Sequence, residues 1–230
     1  MKGLRWLRFV YVAGWVLLAG QGCVRDERGL RTFPADGGAP GQVDKATIDA
    51  CMVCHSTREM QRGPVLDGLP EWYLADQLKK FKSGQRGKNP ANRAEVLMGI
   101  AMAKVTSEAQ LNSLARHFAG CKPQPSIRVV RGNIPVGRAL YSIRCETCHG
   151  PKGEGVREIQ SPPVNVQEDW FLLDQLRKYA NGQRSVHPSE AGGLMMKAAV
   201  AELSPDNLRD VVAYIAQELT VTSPEPTRKK

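Results

Sequence analysis

Cys145-Glu-Thr-Cys148-His149 and, 94 residues earlier, Cys51-Met-Val-Cys54-His55 decide the reading of this chain. In Cys-x-x-Cys-His, two thiols can add across the two vinyl groups on one edge of a porphyrin. The histidine that follows turns under the ring to bind iron. A single copy would also suit a redox dithiol or half a zinc site. Two copies, in a chain with only six cysteines and four histidines, point to two covalently bound haem c groups. Cys51, Cys54, Cys145 and Cys148 are the expected thioether residues, and His55 and His149 the expected axial ligands.

The repeat extends beyond the haem motifs. Trp72-Tyr-Leu-Ala-Asp76-Gln77-Leu78-Lys-Lys-Phe81-Lys-Ser-Gly84-Gln85-Arg86 matches Trp170-Phe-Leu-Leu-Asp174-Gln175-Leu176-Arg-Lys-Tyr179-Ala-Asn-Gly182-Gln183-Arg184 at an offset of 98. Pro64 with Pro162 and Met98 with Met196 share that offset. A fixed self-similarity over this length means two copies of one structural unit. Each copy reads as helix, loop, helix, loop, helix, with no sustained strand alternation. Apolar spacing places helices over 72–81 and 170–179, with Gly84 and Gly182 as stops. Ser204-Pro205-Asp206 and Thr106-Ser107-Glu108 open the last helices. The expected layout is all-α: domain 1 over 43–121, a Pro-rich linker over 122–135, domain 2 over 136–220 and a frayed tail over 221–230.

The first residues set the compartment. Lys2, Arg5 and Arg8 precede an apolar run from Phe9 to about Gly20, too short to span a bilayer comfortably and proportioned like a secretory signal peptide over 1–22. Thioether attachment of haem takes place outside the cytoplasm, which agrees. Gly22-Cys23 resembles a bacterial lipobox without its usual leucine, so Cys23 is read as a lipidation site and residues 23–42 as a flexible tether. Three of the 32 basic residues and none of the 23 acidic ones lie in 1–22, so the exported chain stays basic, as suits steering toward an acidic surface. No basic cluster interleaves with aromatics, and nucleic acid is excluded as a partner.

The opposite face of each haem decides the chemistry. Met98 and Met196 occupy matched positions, each seven residues before the apolar residue that introduces the last helix, and are the expected sixth ligands. A thioether favours ferrous iron and raises the potential. Met102 and Met195 are the neighbours that could replace them. His187 and His117 are read as structural. Cys121 is read as a buried small residue, with a disulfide to Cys23 as the lesser alternative.

Together these residues resemble the dihaem class I cytochromes of the cytochrome c4 family over nearly the whole chain after residue 43. The resemblance implies two tandem class I cytochrome c domains about a pseudo-twofold axis, haem edges facing. It implies that Pro64 and Pro162 offer carbonyls to the ligand histidines, and that Trp72, Trp170, Arg86 and Arg184 lie near propionates. The first copy departs from the pattern. Ser56 stands where the second copy has Gly150, and Val43 and Thr47 stand where it has Gly137 and Tyr141, facing His117. Equal haem potentials are therefore in doubt.

The functional expectation is a periplasmic one-electron carrier with no catalytic residue. It would serve a respiratory chain, between partners such as a quinol-cytochrome c reductase and a terminal oxidase, held to the membrane through lipidated Cys23. The alternatives are a dihaem enzyme of the thiosulfate dehydrogenase or peroxidase type, or a haem subunit of a larger complex.

Overall fold

The structure is a computed structural model and describes residues 43–56, 62–123 and 128–220, together with the backbone of Val24–Arg25 and Arg31–Thr32. The segment read as a signal peptide (1–22), Cys23, most of the stretch read as a tether and the residues after 220 lie outside the described residues. Within the tether, Val24–Arg25 (β1) pairs antiparallel with Arg31–Thr32 (β2). Apart from one isolated antiparallel bridge between Val156 and Ser161, the rest of the described secondary structure is helical. No helix among the described residues is long and apolar enough to cross a membrane.

The first half contains α1 (Lys45–His55), α2 (Glu71–Ser83), α3 (Arg93–Met102) and α4 (Glu108–Gly120). Local chemistry sets their ends. The Asp44 carboxylate accepts from the Thr47 amide at 2.8 Å and opens α1; Ser107 does the same for α4 through Gln110. Gly84, at φ 80°, closes α2 in the left-handed region that glycine adopts without strain.

The second half contains α5 (Ile134–Arg144), a short α6 (Glu146–His149), a 3₁₀ turn over Arg157–Ile159, α7 (Asp169–Ala180), α8 (Ala191–Val200) and α9 (Pro205–Tyr214). A capping box between Ser204 and Asn207 opens α9. The chain then continues through a π-helical turn, Ile215–Leu219.

Two differences from the sequence reading stand out. Each half has an additional helix, α3 or α8, where a loop was expected, and these carry Met98 and Met196. Both are short, and apolar residues surround them rather than forming one stripe. α8 also begins Ala-Gly-Gly with no side-chain cap, so neither start nor periodicity announced it. The second difference is that α5 begins at Ile134, inside the stretch read as linker.

Each half has its own core. Ile48, Leu74, Leu111, Leu114 and Phe118 centre the first, and Tyr141, Leu172, Leu208, Val211 and Val212 the second. In the second half α5 crosses α9 closely at Gly137, where an added Cβ would lie 2.1 Å from the Asp210 carbonyl oxygen. Tyr141 and Tyr214 meet there with ring centroids 5.6 Å apart. The first half lacks this crossing. Val43, the counterpart of Gly137, precedes the first turn of α1, and His117 packs its ring edge-on against Phe118.

Polar contacts join the halves. Gln85 Nε2 donates to Ser189 Oγ at 2.8 Å, Asn89 Nδ2 to the Gln183 carbonyl at 2.9 Å, and the Val65 amide to Glu168 Oε2 at 2.9 Å. The incoming chain is fixed where the amides of Val129 and Val130 both donate to Asp169, at 2.6 and 2.8 Å.

Two candidate haem sites

In the first half a single helix, α1, carries Cys51, Cys54 and His55 on adjoining turns. In the second, the backbone breaks between α5 and α6, leaving Cys145 at the junction with Cys148 and His149 on α6. All four cysteines are half-buried, and none of them is in a disulfide. Burial raises the Cys51 thiol, and burial with the neighbouring Cys148 pushes Cys145 up to about 12.

Each histidine is aimed by a backbone carbonyl. His55 Nδ1 lies 2.7 Å from the Pro64 oxygen and His149 Nδ1 2.8 Å from the Pro162 oxygen. Since a carbonyl only accepts, each Nδ1 carries the proton and each Nε2 keeps its lone pair for a metal. Burial lowers the pKa of both rings and favours that neutral form. The surroundings differ. Ser161 Oγ lies 3.2 Å from His149 Nδ1, whereas a Cβ on its counterpart Gly63 would meet the His55 ring at 2.6 Å.

The matched methionines sit on the two short helices, Met98 on α3 and Met196 on α8. Met196 is half-buried and lines one apolar cavity together with Cys145, His149, Leu176 and Leu203. Met98 is half-buried against the first core, to which Cys51 also packs. The substitutes are disposed otherwise: Met102 is buried in the core at 4 % exposure, and Met195 is 63 % exposed. His187 sits in an exposed loop, its Nδ1 2.7 Å from Ser189 Oγ. Cys121 is buried, with Sγ 3.2 Å from the His117 carbonyl oxygen. It is disulfide-bonded rather than a simple small core residue, the reading preferred from the sequence.

The repeated Gln, aromatic and Arg residues form one device in both halves. Arg86 stacks on Phe81 with its guanidinium 4.4 Å from the ring centroid, and Arg184 on Tyr179 at 4.5 Å. Gln77 accepts from Arg86, and Gln175 accepts from Arg184 at 2.6 Å. Both arginines are buried, yet each Nε has no hydrogen-bond partner among the described residues. A buried donor left unsatisfied costs about 1–3 kcal/mol. Each therefore suits a carboxylate, the group a haem propionate supplies, so the residues present fit the cofactor. The sequence did not show that Glu95 joins the pair: it accepts from Arg86 and lies 3.7 Å from Arg184 Nε, across the two halves. Its counterpart is Gly193, so the repeat gave no signal for it.

Comparison with known proteins agrees with this geometry. The cytochrome c family model matches residues 136–218. A thiosulfate dehydrogenase electron acceptor from Thiomonas intermedia is 34% identical over 166 residues, covering 66% of this chain and 70% of that one. Cytochrome c4 of Azotobacter vinelandii is 26% identical over 191 residues, covering 77% and 87%. The chain belongs to the cytochrome c4 family of dihaem cytochromes. The solved structure of reduced cytochrome c4 from Pseudomonas stutzeri superposes with a TM-score of 0.59 at 24% identity, over 78% of this chain and 98% of that one. The fold is accordingly two tandem class I cytochrome c domains. As in other cytochromes c4 the cofactors are two covalently bound haem c groups, and the activity is electron transfer with redox proteins.

Proposed function

We propose that this cytochrome is an exported, periplasmic carrier that accepts electrons singly from a sulfur-compound dehydrogenase and passes them to a reductase or terminal oxidase. Cys51 and Cys54 would hold haem 1 between His55 and Met98; Cys145 and Cys148 would hold haem 2 between His149 and Met196. The observation that carries the ligand set is the cavity that joins Cys145, His149 and Met196, with the same histidine–carbonyl bond in both halves.

Haem supplies the one-electron redox step when bound. The chain's own residues orient the imidazoles, exclude water through two apolar cores, and offer Arg86 and Arg184 to the propionates. The donor class is supported by the likeness to the Thiomonas intermedia electron acceptor, and that likeness favours acceptor over dehydrogenase. Export rests on the N-terminal sequence alone, as do the domain limits given above; lipid anchoring at Cys23 competes with the disulfide of Cys121, because Cys23 is the cysteine left outside the two haem motifs.

Haem count and ligand exchange test the reading. A pyridine haemochrome assay should return two haems per chain. Met196→His should remove the far-red methionine-to-iron band of haem 2 and lower its potential. With a purified thiosulfate dehydrogenase and thiosulfate, both haems should be reduced. One haem per chain, an unchanged Met196→His spectrum, or turnover of thiosulfate by the cytochrome alone refutes the corresponding part.

A further inference from the structure

The carbonyl that aims His55 and the amide held by the other half belong to one peptide group. Pro64 contributes the C=O, 2.7 Å from His55 Nδ1, and Val65 the N–H, which donates to Glu168 Oε2 at 2.9 Å. Glu168 is buried at 7 % exposure. It occupies the N-cap position of α7 without using its side chain to cap that helix. Instead the carboxylate reaches 103 residues back along the chain, into the other domain.

Haem site 2 cannot make this chain of bonds. The residue after Pro162 is Pro163, so the peptide that aims His149 has no N–H. The counterpart of Glu168 in the first half is Pro70, which has no carboxylate. His149 meets Ser161 Oγ instead.

We propose that Glu168 is a positioning residue for haem 1, acting through the Pro64–Val65 peptide on His55 and setting the potential of haem 1 below that of haem 2. A carboxylate at the N–H end polarises the amide and makes its carbonyl oxygen a stronger acceptor. The stronger acceptor draws the His55 Nδ1 proton and makes the ring a better donor to iron, which favours the ferric state. The negative charge acts in the same direction through space and contributes to the field at His55. Arg128, a cation in the electrostatic field of Glu168 and Asp169, offsets part of that charge but does not hold the Val65 amide. Because the carboxylate belongs to the second domain, docking of the two halves tunes the first haem. The inference rests on His55 being the axial ligand proposed above.

Two variants of the full holoprotein test it in redox titrations followed optically. Glu168→Gln keeps an acceptor and removes the charge. Val65→Pro removes the N–H and leaves Glu168 in place, giving haem 1 the Pro-Pro sequence already found at haem 2. Haem 1 is assigned as the wave that falls in Met98→His. Both variants should raise its reduced-to-oxidised ratio at fixed solution potential by about tenfold, about 59 mV for one electron, while haem 2 shifts by less than twofold. An unmoved haem 1, or both haems moving together, overturns the proposal. A shift in Glu168→Gln alone overturns the peptide relay. Haem count and the His55→Ala spectrum are read first. One haem per chain, or a haem 1 indifferent to His55, refutes the ligand assignment and the inference with it; two His55-dependent haems with unmoved potentials refute the inference alone.

Discussion

Tyr141 shows how much one buried polar atom can hold. Its hydroxyl donates to the Gly150 carbonyl at 2.7 Å, tying α5 to the residue after His149. The phenol is raised well above its ordinary range, by burial first and the nearby Cys145 next, so it remains a donor at any physiological pH. Tyr141→Phe should leave a buried carbonyl without its partner and cost about 1–3 kcal/mol in urea unfolding; a loss below a few tenths would deny the bond its role. The histidines give a pH prediction. Their folded pKa values are depressed by burial, so their contribution to stability is present above the unfolded value of about 6.5 and is lost as pH falls through the lower folded value. Iron binding at Nε2 acts in the same direction. The low-spin spectrum of both haems should therefore hold constant down past pH 6.5 and collapse only in stronger acid, and an acid titration showing a transition at or above 6.5 contradicts this. The covalent motif was legible residue by residue because thioether chemistry fixes its spacing. Glu95 and Glu168 were not, because a single carboxylate in a sequence does not show which amide or guanidinium it will meet.

The α5–α9 crossing is the element contact most exposed to a small change. A methyl on Gly137 would lie 2.1 Å from the Asp210 oxygen and 2.9 Å from Tyr214 Cβ, both rigidly held. Gly137→Ala should force the helices apart at a cost of about 1–3 kcal/mol or more. Gly120→Ala, at the end of α4 with nothing within 4 Å of the added carbon, should be neutral or stabilising by up to about 1 kcal/mol. Equal effects in thermal melts would remove the crossing argument. At this scale the sequence announced helices that cap themselves or carry a clear apolar stripe: α2, α4, α7 and α9. It was silent on α3 and α8, whose apolar residues lie on both buried and exposed faces, with Met102 and Val200 buried and Leu97, Ile100, Leu194 and Met195 exposed, and so follow no single period.

At the scale of the whole molecule, duplication made the architecture readable, and the departures from duplication made the interface unreadable. Glu168 faces the first half where its counterpart is Pro70, and Glu95 faces the second where its counterpart is Gly193. Contacts that appear once in a repeat leave no trace in the repeat. The same scale governs encounter with a partner. The formal charge of +9 stays positive after subtraction of four haem propionates and of the three basic residues in 1–22, the segment proposed as an export signal. Its field should steer an acidic partner and be shortened by salt, since the Debye length falls from about 10 Å at 0.1 M to about 3 Å at 1 M. In stopped-flow mixing with an acidic redox partner, the second-order rate should fall steadily over that range while the potentials of both haems stay nearly fixed. A carrier with methionine firmly on both irons should at the same time bind carbon monoxide slowly. A salt-independent rate would place docking on apolar contact instead. Stoichiometric carbon monoxide binding within seconds would mean that one iron keeps a labile position, and the half without the Gly137–Tyr141 crossing is where that position would lie.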